Sequence, residues 1–375
     1  MKVLHFGTLD VKAGGPAMSS YLTLLGLQKL GVDAEIAMYP LTADGKLRGE
    51  DVPVVCCSAP IEKKFGYSHK LRNELKAVEN VDIYHAQGIW QYPTYALVDV
   101  ARRKKKPYII TPRGMLYPQD IEKSNKWFKR LSLKARLLND LNHAACVHVT
   151  CEEEKLHCRE LGVTAPIAVI PNPVEIKDYP FDKQDDVFRL GYIGRLSPRK
   201  KVERLIYAFG HLKDLLHDAE LLIIGGGDGL YEQFLKSEAE RLKLSNIRFT
   251  GFLTGEEKDK ALASCSVLAM PSDFENLGNV VLEGLVRRIP CIATKGAPWE
   301  DLQSYDCGWW VDASETEITE AVSQAYNMTV KDLEQMGRNG RKLVEEKYSV
   351  EAIAESMKAL YDGVINGKQK NSSYL

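Results

Sequence analysis

Short apolar runs that stop at glycine, proline or polar turns alternate with helix-length stretches, and the alternation starts twice along the chain. The first series has runs at 2–7, 34–38, 52–57, 81–85, 108–111, 146–150 and 168–171. The second has runs at 188–194, 220–224, 247–250, 264–270, 290–294 and 308–311. A strand covered on both faces reads as an unbroken apolar run, and parallel strands need a crossover, usually a helix. Helices are expected over 14–30, 68–78, 93–106, 124–141, 152–161, 202–216, 318–326, 330–347 and 350–365. Two doubly wound, Rossmann-like α/β domains follow from this pattern. The Pro/Asp/Lys-rich stretch 171–186 reads as the linker between them. The expected domains are 1–175 and 186–348, then a last helix over 349–366 capped by Ser349, and a disordered tail over 367–375.

Composition narrows the class. A chain of 375 residues with 45% hydrophobic and 27% charged residues suits two soluble globular domains. A net charge of −1 excludes bulk binding to nucleic acid or another polyanion. The charge is uneven: 12 basic against 2 acidic residues fall within 101–136, which points to a phosphate-bearing surface such as an anionic membrane. In the 124–141 helix, with Ser124 as N-cap, Trp127, Phe128, Leu131, Ala135 and Leu138 mark an apolar face. Lys126, Arg130 and Lys134 mark another, as in an interfacial helix or an ordinary amphipathic one. No apolar run approaches about 18 residues and MKVLHFG reads as a strand start, so a cytoplasmic protein is expected, at most peripheral on the inner membrane face. The eight scattered cysteines suit reduced, buried thiols. Cys146, His148, Cys151, His157 and Cys158 match no common zinc spacing, and no metal is expected.

The candidate site residues stand where apolar runs end, which is where open α/β sheets bind ligands. Glu275 and Glu283 flank a helix start near Gly278 and Asn279, whose backbone N–H groups through Val280 face one point. Carboxylates bind vicinal hydroxyls, so the stretch from Met270 to Leu285 suits a ligand with a phosphate and two polyols. A nucleotide sugar has all three parts. Arg195 and Lys200 follow the first run of the second series and suit a diphosphate. Gly226 lies in a glycine turn that departs from the dinucleotide fingerprint at Leu230, and Phe252 follows the next run. In the first series Gly14 and Gly15 open a helix after the first run. His85, Gln87 and Trp90 end the fourth, and Arg113 ends the fifth, where it suits an anion.

Gly14-Gly15-Pro16, Gly194-Arg195-Leu196 with Lys200, the glycine turn at 225–229 and Glu275-x7-Glu283 occur in one order along nearly the whole chain. That set resembles the retaining glycosyltransferases of the GT-B fold, family 4. HAQGIW and TPRGML resemble a bacterial branch that builds surface polysaccharides such as capsule or O-antigen. The resemblance implies two Rossmann-like domains facing a cleft and a C-terminal helix crossing back to the N-terminal domain. It implies that Arg195, Lys200, Gly15 and the amides near Leu277–Val280 hold the donor diphosphate. Glu283 would bind the ribose and Glu275 the transferred sugar, with Gly14, Gly226 and Phe252 beside the donor. The acceptor, lipid-linked or a glycan, would meet Gln87, Trp90 and Arg113. Glu275, Arg195, Lys200 and His85 are the catalytic candidates. The branch usually carries a second histidine two residues after His85; Gln87 stands there and cannot act as a base. Retaining transfer on one face needs none, because the departing phosphate oxygen takes the acceptor proton. No Asp-x-Asp is present, so neither a metal on the diphosphate nor another cofactor is expected. A non-hydrolysing sugar-nucleotide epimerase and a non-catalytic nucleotide-sugar binder remain alternatives.

Overall fold

The computed structural model describes residues 1–41, 45–47, 49, 51–62, 64–123, 125–179 and 186–367. The chain forms two compact units: Met1–Glu175 together with the chain from Ser349 onward, and Ile176–Tyr348. The expected N-cap Ser124, part of the expected linker and most of the expected tail lie outside the described residues.

The first unit holds a seven-stranded sheet of β1 (Lys2–Phe6), β2 (Asp33–Met38), β3 (Val54–Cys56), β4 (Ile83–Gln87), β5 (Tyr108–Thr111), β6 (Cys146–Val149) and β7 (Ile167–Val169). Their order is β3-β2-β1-β4-β5-β6-β7, all parallel. Alternate residues face opposite sides. Leu4, Tyr84, Ile110 and Val147 belong to one core. Val3, Ile83, Ile109 and Cys146 belong to another, shared with Ile353, Met357, Tyr361 and Val364 of the Val350–Ile365 helix. That helix lies against the Gly15–Lys29 helix so closely that a Cβ on Gly26 would stand 2.7 Å from Ala354 Cβ and 2.8 Å from Val350 Cγ1. Ser349 caps it by accepting from the Ala352 N–H at 3.2 Å.

The second unit holds β8 (Arg189–Ile193), β9 (Glu220–Ile224), β10 (Ile247–Gly251), β11 (Val267–Met270), β12 (Cys291–Thr294) and β13 (Gly308–Val311). Their order is β10-β9-β8-β11-β12-β13, again parallel. Strand order reverses direction between β1 and β4 in one sheet and between β8 and β11 in the other. Loops diverge at such a switch point and leave a crevice beyond the strand ends.

Three expectations are corrected. Helices at Gly229–Arg241 and Gly255–Ala263 fill stretches to which no helix was assigned, because charged residues there blur the apolar period. The 124–141 helix is instead Lys126–Ser132, a π-helical segment Leu133–Leu137, and Leu138–Asn142. Its packed stripe is Leu133, Leu137 and Leu141. Trp127, Phe128 and Leu131, part of the expected apolar face, are 75%, 50% and 68% exposed, so that part of the face is open and the packing is done by the other stripe. Finally, β4 runs on to Gln87 because it is paired on both sides, with β1 through Ala86 and with β5 through Gln87. His85 is therefore inside the strand, not at its end.

Candidate active site

In the second unit the loops after β8 and β9 are joined. Leu196 N–H donates to Gly226 O at 3.0 Å, and Asp228 N–H donates to Leu196 O at 3.0 Å. A Cβ on Gly225 would collide with the Gly194 carbonyl oxygen, so only glycine fits. This junction sets Arg195 at the switch point. Its side chain is exposed, with no carboxylate within ion-pair distance among the described residues. A one-turn 3-10 helix, Pro198–Lys200, then brings Lys200 back over the sheet edge.

Glu275 comes from the loop after β11. That loop is held at several points: Glu275 N–H donates to Gly296 O at 2.7 Å, the Trp299 indole donates to Leu277 O, and Thr294 Oγ1 donates to Ser272 O at 2.5 Å. Arg204 donates to Pro271 O at 2.9 Å and pairs with Asp273 at 2.6 Å. Gly278, at φ +77°, turns the chain into the Asn279–Leu285 helix over the Met270 thioether. The outcome is a buried ion pair: Lys200 Nζ lies 2.5 Å from Glu275 Oε1. Tyr192, at the end of β8, donates its hydroxyl to Arg195 O at 3.1 Å. Burial, and secondarily the Glu275 charge, push its phenol up. Tyr192 therefore links the Arg195 and Glu275 sides of the group. It was missed because one tyrosine in an apolar strand carries no motif.

Glu283 sits on the Asn279–Leu285 helix and pairs with Lys258 at 2.5 Å. Phe252, just past β10, is 80% exposed, and a Cβ on Gly226 would meet nothing within 4 Å. An open aromatic face and an open glycine border the same edge. The helix that follows, Asn279–Leu285 with Gly278 as its N-cap, has only seven residues, so its dipole is weak beside the charges of Arg195 and Lys200.

In the first unit, Gly14, at φ +66°, precedes the helix that starts at Gly15. Arg113, also left-handed at φ +55°, donates from Nε and Nη2 to Gln87 Oε1 at 3.0 and 2.7 Å. It also donates to Ser19 Oγ at 3.3 Å, Asn172 Oδ1 at 3.4 Å and Ser20 Oγ at 3.3 Å. Every hydrogen-bond partner is neutral, and burial holds the guanidinium down to about 10. Glu154, fully buried, accepts from Gly114 N–H and Thr150 N–H and fixes the loop that presents Arg113. The Trp90 indole is occupied, donating to Met115 O at 3.1 Å.

His85 is the clear departure. It is fully enclosed, with Nδ1 2.8 Å from Tyr361 Oη and Nε2 2.7 Å from Thr111 Oγ1. Both ring nitrogens are used internally, so it is not the catalytic group expected from sequence. Neighbouring His5 and His148 are likewise buried, and burial lowers all three, His5 to about 3 and His148 to about 4. Among the described residues no group of His, Cys, Asp and Glu has the arrangement of a metal site, and no helix is long and apolar enough to cross a membrane.

Two family descriptions match this chain: "Glycosyl transferase 4-like domain" over residues 14–173 and "Glycosyl transferases group 1" over residues 175–343. An uncharacterized glycosyltransferase of Methanocaldococcus jannaschii is 28% identical over 183 residues, 48% of this chain and 45% of its own length. The GDP-mannose-dependent monoacylated alpha-(1-6)-phosphatidylinositol monomannoside mannosyltransferase of Corynebacterium glutamicum is 28% identical over 209 residues, 50% of this chain and 54% of its own. The chain thus spans about half the length of these curated relatives. The crystal structure of Anabaena HepE in complex with UDP and glucose superposes with a TM-score of 0.76 at 18% identity, covering 96% of this chain and 99% of that one. At that identity the likeness shows a shared fold.

Proposed function

Since the chain belongs to the family 4 type of GT-B glycosyltransferases, we propose that it moves a sugar from a nucleoside-diphosphate donor to an acceptor hydroxyl, with retention at the anomeric carbon and without a metal on the diphosphate. The observation that carries this reading is the Lys200–Glu275 pair at the β8/β11 switch point, beside Arg195, which has no carboxylate partner among the described residues.

The pair fits a donor site held ready. With no ligand, Glu275 neutralises Lys200, which avoids leaving a buried charge alone. When the donor enters, Lys200 and Arg195 meet the diphosphate, and Glu275 is released to accept from hydroxyls of the transferred sugar. Glu283 takes the ribose hydroxyls in exchange for Lys258, and the Phe252 ring covers the base. As the anomeric bond breaks, negative charge grows on the diphosphate, and fixed cations in a partly dry site stabilise it. The departing oxygen then accepts the acceptor proton, so no protein base is needed. The buried position of His85 supports a mechanism that does not depend on it.

An anionic, lipid-linked or glycan acceptor is favoured by Arg113, a half-buried cation whose hydrogen-bond partners among the described residues are all neutral. The phosphatidylinositol monomannoside in the name of the Corynebacterium relative supports the lipid class. Exposed Trp127 and Leu131, with Lys126 and Lys134 beside them, support peripheral attachment to an anionic inner membrane face.

The test is sugar release and transfer from UDP-, GDP- and ADP-sugars to membrane-lipid acceptors, with product stereochemistry read by NMR. An inverted product, or donor isomerised without any acceptor, would overturn the reading; the second outcome would mark an epimerase. Binding without turnover on any acceptor would mark a non-catalytic binder.

A further inference from the structure

We propose that Tyr361, on the C-terminal helix, is a positioning residue for Arg113, acting through a one-way chain of hydrogen bonds across the sheet face. His5, His85, Thr111 and His148 share one face of four adjacent strands, β1, β4, β5 and β6, two residues on from Val3, Ile83, Ile109 and Cys146. The Tyr361 hydroxyl enters this row from the helix that covers it. No carboxylate hydrogen-bonds any of the three rings among the described residues, and a charged ring there would be buried beside a cation, so all three are neutral.

The proton order then has one solution. The carbonyl of Ile170 can only accept, so His148 Nε2, 2.8 Å away, carries its hydrogen. His148 Nδ1 therefore accepts, from Thr111 Oγ1 at 3.0 Å. Having donated there, Thr111 accepts from His85 Nε2–H at 2.7 Å. His85 Nδ1 must accept from Tyr361 O–H at 2.8 Å, and Tyr361 in turn accepts from His5 Nε2–H at 3.2 Å. His5 Nδ1 accepts from Gln87 Nε2–H at 3.1 Å. That fixes the amide of Gln87 with its oxygen toward Arg113, where it accepts two guanidinium hydrogens. A primary amide supplies both the acceptor that Arg113 needs and the donor that His5 needs. Glutamate lacks that donor.

Without the Tyr361 hydroxyl, His5 Nε2–H loses its acceptor. Moving the hydrogen to Nδ1 relieves His5 but places it against the Gln87 NH2. The amide then turns, offers its NH2 to Arg113 and withdraws the acceptor that aims the guanidinium. The orientation of an acceptor-side cation is thus set by a hydroxyl on the helix that follows the second unit. The inference deepens the acceptor reading of Arg113 but is decided by a different measurement.

The experiment is side-chain NMR on the full chain labelled with 15N in histidine and arginine. The wild type is expected to show three neutral Nε2–H rings. Tyr361→Phe is expected to shift His5 toward the Nδ1–H tautomer and to speed exchange of the Arg113 Nε–H about tenfold. Val364→Ala loosens the same helix without touching the chain and is expected to change that exchange less than twofold. An Nδ1–H tautomer at His5 or His85 in the wild type would overturn the proposal even if Tyr361→Phe failed to fold. So would unchanged Arg113 exchange in Tyr361→Phe, or equal acceleration in both variants. Whether Arg113 meets the acceptor is decided separately, by transfer kinetics of Arg113→Lys, and either result can fail alone.

Discussion

Lowering the pH from 7.5 to 5.5 is expected to destabilise the first unit by about 4 kcal/mol and to spare the second. His5, His85 and His148 are buried and neutral, with folded values far below the ordinary one: about 3 for His5, about 4 for His148, and well below 6.5 for His85. The unfolded chain takes up protons near pH 6.5 while the folded unit does not. The stability these rings confer is therefore complete above about 6.5 and drains away as pH falls toward 3–4. At pH 5.5 each ring accounts for about 1.4 kcal/mol, which is the origin of the total for three. Glu154 acts in the opposite sense: burial raises its carboxyl, so its proton favours the folded state at low pH, one group against three. Arg113 and Tyr361 keep their protons throughout. In the second unit His211 and His217 are exposed, which makes that unit the internal control. Hydrogen exchange by mass spectrometry, corrected for intrinsic rates, reads the two separately through peptides of β1, β4 and β6 against β9 and β11. Parallel loss in both units, or no loss in the first down to pH 5.5, would show that the row is already charged or open to water.

Three further outcomes are expected. Glu275→Gln removes the sugar-hydroxyl acceptor and leaves Lys200 without its countercharge, so the melting temperature should drop and transfer, measured well below the new transition, should fall on the order of 100-fold or more; near wild-type turnover refutes the role. Gly26→Leu drives a side chain into Ala354 and Val350 and should cost about 1–3 kcal/mol in urea unfolding, with earlier proteolytic release of the C-terminal helix. Trp127→Ser with Leu131→Ser changes exposed residues, so stability should move by less than about 0.5 kcal/mol. The pair should nonetheless lose salt-sensitive co-sedimentation with anionic vesicles, and retained binding would remove the membrane face.

Sequence carried the fold well because buried parallel strands declare themselves as apolar runs. That Arg195, Lys200 and Glu275 lie in the loops just past β8 and β11 was legible for a related reason, since the apolar runs end there. What escaped was set by pairing and register. The end of β4 depends on hydrogen bonds to β1 and β5, which lie far away in sequence, so His85 was placed two residues too near the edge. Its row of polar partners comes from four strands and a helix and has no linear spacing. Lys258 and Tyr192 were silent for the same reason. The packed stripe of Leu133, Leu137 and Leu141 escaped because a π-helical segment at Leu133–Leu137 shifts the phase of the apolar repeat.

The helix that completes the first unit is made only after the entire second unit. On the ribosome, where domains usually close in the order they emerge, the second unit has all its segments before the first does. Until Tyr361 arrives, that face of the β1–β6 row lacks the cover of Ile353, Met357, Tyr361 and Val364. A stop codon after Tyr348 would therefore damage the part of the protein translated first.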